Sequence, residues 1–209
     1  MLQRILVWDL PTRVFHWSLA LSFLGAYLSS ETERYRNLHI ALGYVLAGLI
    51  IFRLIWGLVG SPYAKFNSFL FKPSEIIAYL KSLLTTNPLH YIGHNPAGSL
   101  AVYLLLALGA LTAFSGMGLY FEWGGSFEES EDFFEEIHEF AANGMLIVVL
   151  IHIAGVVVSS VMHKENLPRC MVTGYKQCQH DEASSSNHTW LGLAMLVSIV
   201  GFLSYYLLS

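Results

Sequence analysis

Five apolar stretches, each close to the length of a membrane-crossing helix, constrain this chain more than any other feature of its sequence. A bilayer core ~30 Å thick needs about 20 mostly apolar residues per helix. Five windows meet that need, near residues 14–30, 39–59, 98–121, 138–162 and 190–208, the first only marginally. Charged residues make up 12% of the chain and hydrophobic residues 55%, where a soluble domain carries about 25% charged residues. The expectation is an all-α integral membrane protein: a four-helix transmembrane bundle with a fifth, C-terminal transmembrane helix.

Two function classes fall away early. The net charge is -4 and no basic stripe is present, so a nucleic-acid partner is excluded. The only cysteines, Cys170 and Cys178, lie in the polar segment before the last apolar run. Neither sits in a Cys-x-x-Cys-His sequence, so any haem is non-covalent. Together with His180 they match no zinc spacing and lack a fourth ligand, and reduced thiols are the expectation. Residues 1–12 are too polar and too proline-interrupted for a signal peptide, so the first helix is expected to stay in the mature protein.

Orientation follows from the basic residues of the short connections. Arg4, Arg13, Arg53, Lys65, Lys72, Lys81, Lys164, Arg169 and Lys176 share one side, which places the N-terminus in the cytoplasm and, with five spans, the C-terminus outside. The opposite side receives Arg34 and Arg36 and a loop, residues 122–139, with eight acidic residues and no Lys or Arg. Trp8, Trp17, Trp56, Trp123 and Trp190 fall at the expected interfaces. Residues 73–86 read as a short amphipathic helix along the inner surface, with Pro73 in its first turn. Asn95-Pro96 reads as an N-cap and first helical position opening the third span.

Histidines within spans carry the chemistry, because an ionisable group in hydrocarbon is costly and generally has a partner. Four of the nine stand out: His16, His39, His138 and His152. His138 and His152 are fourteen residues apart on one predicted helix, which is about four turns and roughly 21 Å along the axis. They therefore point to nearly one face at two depths. His16 enters on the first span from the inside and His39 opens the second from the outside, so His39 should meet His138 and His16 should meet His152. His16 lies near the start of its predicted span while His152 lies deeper in its own, and either helix tilt or a first helix starting near Pro11 would reconcile the depths. Two pairs of facing imidazoles are what two bis-histidine haems require, one near each membrane surface. Gly43 and Gly155, close to two of the ligands, leave room for a macrocycle.

Other histidines are less specific. His90 and His94 are four residues apart, but Gly93 interrupts the pair and no Glu follows His90, which excludes a zinc hydrolase helix. They read as interfacial, with His94 near a haem propionate or a quinone. His163 and His188 lie at membrane edges. Arg53, set inside a span, either snorkels to the headgroups or pairs with a propionate. Arg13 joins Arg53 and His94 as a candidate propionate or quinone contact.

Val7-Trp8-Asp9-Leu10-Pro11-Thr12-Arg13 leading to Phe15-His16-Trp17 resembles the opening of the bacterial cytochrome b561 group and the cytochrome b subunits of nickel-iron hydrogenases. Arg53-Leu54-Ile55-Trp56-Gly57, Gly93-His94-Asn95-Pro96-Ala97-Gly98, and Glu165-Asn166-Leu167 through Thr173-Gly174 are similar to further segments of that family. The resemblance covers roughly residues 5–177. It implies a four-helix diheme domain over residues 1–177, with residues 178–209 as a linker and an additional helix, in the bacterial inner membrane. It implies two haem b groups on His16, His39, His138 and His152, and electron exchange between quinone and a second redox partner.

The leading expectation is a transmembrane electron conduit between the quinone pool and a periplasmic c-type cytochrome, hydrogenase or other oxidoreductase. The protein sets distance, dryness and potential while the haems do the chemistry. Glu128, Glu129, Glu131, Asp132, Glu135 and Glu136 either steer a basic partner surface or form a solvated loop. The alternatives are an anchor subunit with structural haem and a direct superoxide or quinone oxidoreductase. A homodimer stays open as an arrangement. A transporter is disfavoured, because the spans lack an intramembrane carboxylate and no inverted repeat is evident.

Overall fold

The computed structural model describes residues 3–123, 125, 128–178 and 186–209. His180 and residues 184–185 of the polar linker lie outside them, as does the side chain of Cys178. The long helices are α1 (Leu10–Ser29), α2 (Arg36–Val59), α4 (Pro96–Tyr120), α5 (Glu128–Met162) and α7 (Thr189–Leu208), with shorter α3 (Pro73–Ser82) and α6 (Leu167–Thr173) between them. Among the described residues four helices are long and apolar enough to cross a membrane, those built on α2, α4, α5 and α7. α1 has the length but also Arg13, His16 and three serines, and it packs between α2 and α7.

Local chemistry sets the helix starts. Asp9 caps α1 by accepting from the Thr12 amide at 3.0 Å, with Pro11 in the first turn. α1 therefore begins four residues before the apolar window, which brings His16 into the second turn at the depth of its partner. Asn95 caps α4 through the Gly98 amide at 2.7 Å, with Pro96 first in the helix, as expected from sequence.

The expectation for residues 122–139 needs correction. From Glu128 onward they are not a loop, because α5 starts ten residues before the predicted span. Carboxylates at a helix N-terminus meet the positive end of the dipole. Phe134 anchors the extension, packing where a Cβ on Gly118 would lie only 2.5 Å from its ring and contacting Phe114 and Trp123.

Antiparallel helices give the bundle a basic end, with the starts of α1, α4 and α7, and an acidic end, with the start of α5. The basic end is sealed by a two-stranded antiparallel sheet that sequence periodicity does not reveal. β1 (Gln3–Leu6) pairs with β2 (Tyr175–Cys178), Leu6 opposite Tyr175. The hinge of this closure is Gly174, at φ 87°, whose carbonyl accepts from the amides of Val7 and Trp8. A Cβ there would sit 2.5 Å from the Trp8 carbonyl oxygen, so a side chain is excluded by conformation and by space.

Trp8 and Trp56 are not interfacial rings, since each is 8% exposed. Trp56 donates to Asp9 Oδ2 at 3.1 Å, so the carboxylate that caps α1 also fixes the end of α2. Trp17, Trp123 and Trp190 are exposed as the interface reading expects.

Candidate functional site: two facing histidine pairs

Each pair combines one histidine from α5 with one from a neighbouring helix. At the acidic end the His39 and His138 rings lie 5.9 Å apart between centroids, at 66°. At the basic end His16 and His152 lie 6.5 Å apart, at 55°. Two imidazoles sharing one metal through bonds of ~2 Å have ring centroids about 6 Å apart, so both separations suit a metal held between the rings. The structure brings His39 beside His138 and His16 beside His152.

The acidic-end pair is oriented by backbone carbonyls. His39 Nδ1 donates to the Ala26 carbonyl at 2.9 Å, and His138 Nδ1 donates to the Thr112 carbonyl at 2.9 Å, with Ser115 Oγ at 3.3 Å. A proton committed to Nδ1 leaves Nε2 as the free lone pair, the outer-shell arrangement common to metal-ligating histidines. Gly116 completes the fit, because a Cβ there would lie 3.0 Å from the His138 ring. These groups give no sequence signal beyond the small residues at 115 and 116, since their acceptors are backbone atoms.

A cavity of about 780 Å³ opens beside this pair, within the ~300–1,000 Å³ usual for cofactor clefts. Gly43 lines it, and a Cβ on Gly43 would meet nothing within 4 Å, so the space expected for a macrocycle is there. Its mouth carries Arg36 together with Glu31, Glu131, Glu135 and Glu139. The last three follow an i, i+4, i+8 stripe on the α5 extension, a period legible once the segment is known to be helical.

The basic-end pair sits among polar atoms that lack partners. His16 Nδ1, Arg53 Nη1, Arg13 Nε, Thr12 Oγ1, His94 Nδ1, Ser61 Oγ and Ser160 Oγ are buried with no hydrogen bond among the described residues. All seven fall at this end, on the start of α1, the end of α2 and the turn after it, the approach to α4 and the end of α5. Buried polar groups are rarely left unmet in a finished protein, so these atoms leave hydrogen-bonding capacity at this end for water or for a polar ligand group.

Arg53 does not snorkel to solvent. It is 3% exposed, with its guanidinium 4.8 Å from the Phe66 ring centroid and 5.8 Å from that of Phe69. Arg13 spends its terminal nitrogens on the fold, donating to the Val172 carbonyl at 2.8 Å and to Asn187 Oδ1 at 3.2 Å. His94 is held between Phe69 and Trp8, at 4.3 and 4.8 Å between ring centroids. Burial, with Arg53 nearby, pushes its imidazole down to about 3, so it is neutral at ordinary pH.

The remaining candidates are structural. His188 packs edge-on against Trp56 at 5.1 Å. Cys170 is a free, half-buried thiol whose pKa burial raises, which makes it a poor nucleophile. No group of three or more potential metal-ligating side chains occurs among the described residues.

Apolar helices that bring imidazoles face to face at two depths fit the class of membrane-bound b-type cytochromes. A family model described as prokaryotic cytochrome b561 matches residues 7–174, and the chain belongs to that family. It is similar to a probable Ni/Fe-hydrogenase B-type cytochrome subunit of Azotobacter vinelandii, 28% identical over 85% of this chain and 90% of that one. Proteins of the same description in Rhizobium leguminosarum bv. viciae (26%, over 82% and 88%) and Escherichia coli K12 (Ni/Fe-hydrogenase 1; 23%, over 88% and 95%) are also similar. No solved structure matches. The chain is thus a multi-pass membrane cytochrome of the b type, working in electron transfer.

Proposed function

We propose that this cytochrome carries two haem b groups, one between His39 and His138 and one between His16 and His152, and passes electrons across the membrane between quinone and an oxidoreductase docked at the acidic end. The observation that carries the reading is geometric: two facing imidazole pairs, 5.9 and 6.5 Å between ring centroids, with one member of each on the single helix α5. Haem b supplies reversible one-electron chemistry when bound.

The protein's own part is to hold and insulate. The Ala26 and Thr112 carbonyls fix the tautomers of His39 and His138. Arg36 stands at the mouth of the acidic-end cavity, and Arg53 is the buried cation for a carboxylate at the basic end. Basic residues at one end and carboxylates at the other support an inner-membrane orientation with the N-terminus cytoplasmic. Residues 1–177 form the haem domain and α7 closes one of its faces. The description of the relatives as hydrogenase cytochrome subunits favours an oxidoreductase subunit as the partner over a soluble c-type cytochrome.

The test is the reduced-minus-oxidised visible spectrum, with haem quantified per chain, for the parent and for His16→Leu, His39→Leu, His138→Leu and His152→Leu. Two low-spin haems per chain, with His39 and His138 variants losing one component and His16 and His152 variants the other, is the expected result. One haem per chain would reject the two-site reading, and a colourless parent would reject haem binding altogether.

A further inference from the structure

Asp9 is the one carboxylate buried from solvent among the described residues, 0% exposed. Both of its oxygens meet neutral donors, Oδ1 the Thr12 amide at 3.0 Å and Oδ2 the Trp56 indole at 3.1 Å. The ion pairs among the described residues belong instead to Glu165, with His90 and Lys176. Asparagine or serine would cap α1 about as well as aspartate does, and a buried charge without an ionic partner is costly. Capping therefore accounts for the oxygens of Asp9 and leaves its charge without a structural reason.

Two cations face that charge. Asp9 lies within electrostatic range of both Arg13 and Arg53, and the other groups acting on them are the phenols of Tyr175 and Tyr103. Neither guanidinium is neutralised by what it touches. Arg13 gives its terminal nitrogens to the Val172 carbonyl and to Asn187 Oδ1, both neutral, and Arg53 lies against the Phe66 and Phe69 rings. Arg13 Nε and Arg53 Nη1 stay buried without a hydrogen bond. Arg53 in turn acts on His94, which lies within range of His16 and His152. His16 also follows Asp9 by seven residues, which is roughly 10 Å along α1. Two guanidiniums set against one carboxylate leave a single positive charge in excess beside the basic-end pair.

We propose that Asp9 sets the charge of the basic-end site: it offsets one of the two arginines, so that the haem between His16 and His152 has a lower midpoint potential than the arginines alone would impose. The proposal rests on the two-haem reading above and adds the residue that tunes one of the two haems. An anion near a redox centre disfavours the electron that arrives on reduction, and in a desolvated site its field is little screened. Asp9 acts through that field and through the arginines, without touching the histidine pair.

The experiment is a redox titration at pH 7 of the haem-loaded, detergent-purified protein, for the parent, Asp9→Asn, Arg53→Gln and the double variant. It is followed at the spectral component lost in His16→Leu and at the one lost in His39→Leu. Asp9→Asn should raise the reduced-to-oxidised ratio of the basic-end component about tenfold at a fixed potential, which is about 59 mV for one electron, and move the acidic-end component less than about twofold. Arg53→Gln should shift the basic-end component the other way, and the double variant should return it toward the parent. Haem transfer to apomyoglobin separates charge from structure, because asparagine keeps the cap: basic-end haem should leave Asp9→Asn no faster than the parent. Should Asp9→Asn alone fail to accumulate, Arg53→Gln compared with the double variant reads the same difference. A basic-end potential unmoved at parental haem content, equal shifts of both components, or a shift accompanied by faster haem loss would overturn the charge role and leave the two-haem reading standing. A parent with no component lost in both His16→Leu and His152→Leu would reject the two-haem reading instead.

Discussion

Replacing Gly116 by alanine tests whether ring placement holds the haem proposed at the acidic end. The added Cβ would lie 3.0 Å from Cε1 and 3.2 Å from Nδ1 of His138, so the imidazole must give by a few tenths of an ångström. It cannot move freely, because Nδ1 is bonded at 2.9 Å to the Thr112 carbonyl on the same helix as Gly116. Two effects oppose each other. Alanine in a helix interior gains roughly 0.5–1 kcal/mol over glycine, so the haem-free bundle should be no less stable. Disturbing an outer-shell hydrogen bond of a metal-ligating histidine weakens affinity by about 10–100-fold, roughly 1.4–2.7 kcal/mol. The second effect is larger and acts only on the haem-bound state. Gly48→Ala is the control, since Gly48 is exposed and its Cβ would meet nothing within 4 Å. The assay is haem transfer to apomyoglobin, followed at the component assigned to His39 and His138. Loss about 10–100-fold faster than in the parent is expected for Gly116→Ala only. Equal loss rates in parent, Gly116→Ala and Gly48→Ala would refute the reasoning.

Four further outcomes follow from the same geometry. Joint Glu131→Gln, Glu135→Gln and Glu139→Gln should slow reduction by a basic redox partner and flatten its dependence on ionic strength, because these carboxylates line the acidic mouth; unchanged rates and salt dependence would exclude steering there. With haem at both pairs, the acidic-end component should have the lower midpoint potential, since carbonyl-bonded His39 and His138 are the more basic ligands while buried Arg53 favours the reduced state at the other end; a potentiometric titration of the single-histidine variants gives the order. Burial holds folded His94 at about 3 against 6.5 when unfolded, so between those values the unfolded chain binds more protons and stability rises with pH. Melting temperature should therefore fall as pH drops from 7 to 5, by at most roughly 1.4 kcal/mol of stability per unit below 6.5, and His94→Phe should flatten that slope. Gly192→Leu should loosen α7, because even a Cβ at Gly192 would lie 2.6 Å from Leu10, and protease sensitivity of residues 186–209 reads the effect.

The sequence made the histidine framework legible because helical phase is a covalent property. Fourteen residues of α-helix return to almost the same face, so His138 and His152 specify one face at two depths before any partner is known. The Asn95-Pro96 cap was legible for the same reason, local stereochemistry deciding local structure. What stayed hidden depended on meetings between distant segments. The β1–β2 ladder joins two four-residue strands about 170 residues apart in the chain. Asp9 caps α1 and bonds to Trp56, forty-seven residues away, which turns an apparent interfacial tryptophan into a core one. The acids of residues 128–136 suggest solvated loop by charge alone, and it is the packing of Phe134 on Gly118 that makes them helix.

The fifth helix acquires a physical reason from the first. α1 supplies His16 and must carry Arg13, His16, Thr12 and several serines through a region where other spans are almost wholly apolar, and it is the one long helix that falls short of membrane-crossing composition among the described residues. A helix of that polarity is poorly suited to face lipid on its own. α7 carries no Asp, Glu, Lys or Arg and lies along it. Met195, Ile199 and Leu203 pack onto the cluster of Phe15, Val45, Leu49 and Leu106, with Leu19 of α1 in the same cluster, and Gly192 lets the backbone approach Leu10. At its start the Asn187 carbonyl accepts from the Leu10 amide and its side chain accepts from Arg13. The polar groups that α1 needs near the basic-end histidine pair are thereby kept out of lipid, and the helix that follows the family-matched residues 7–174 becomes part of what lets that pair exist in a membrane.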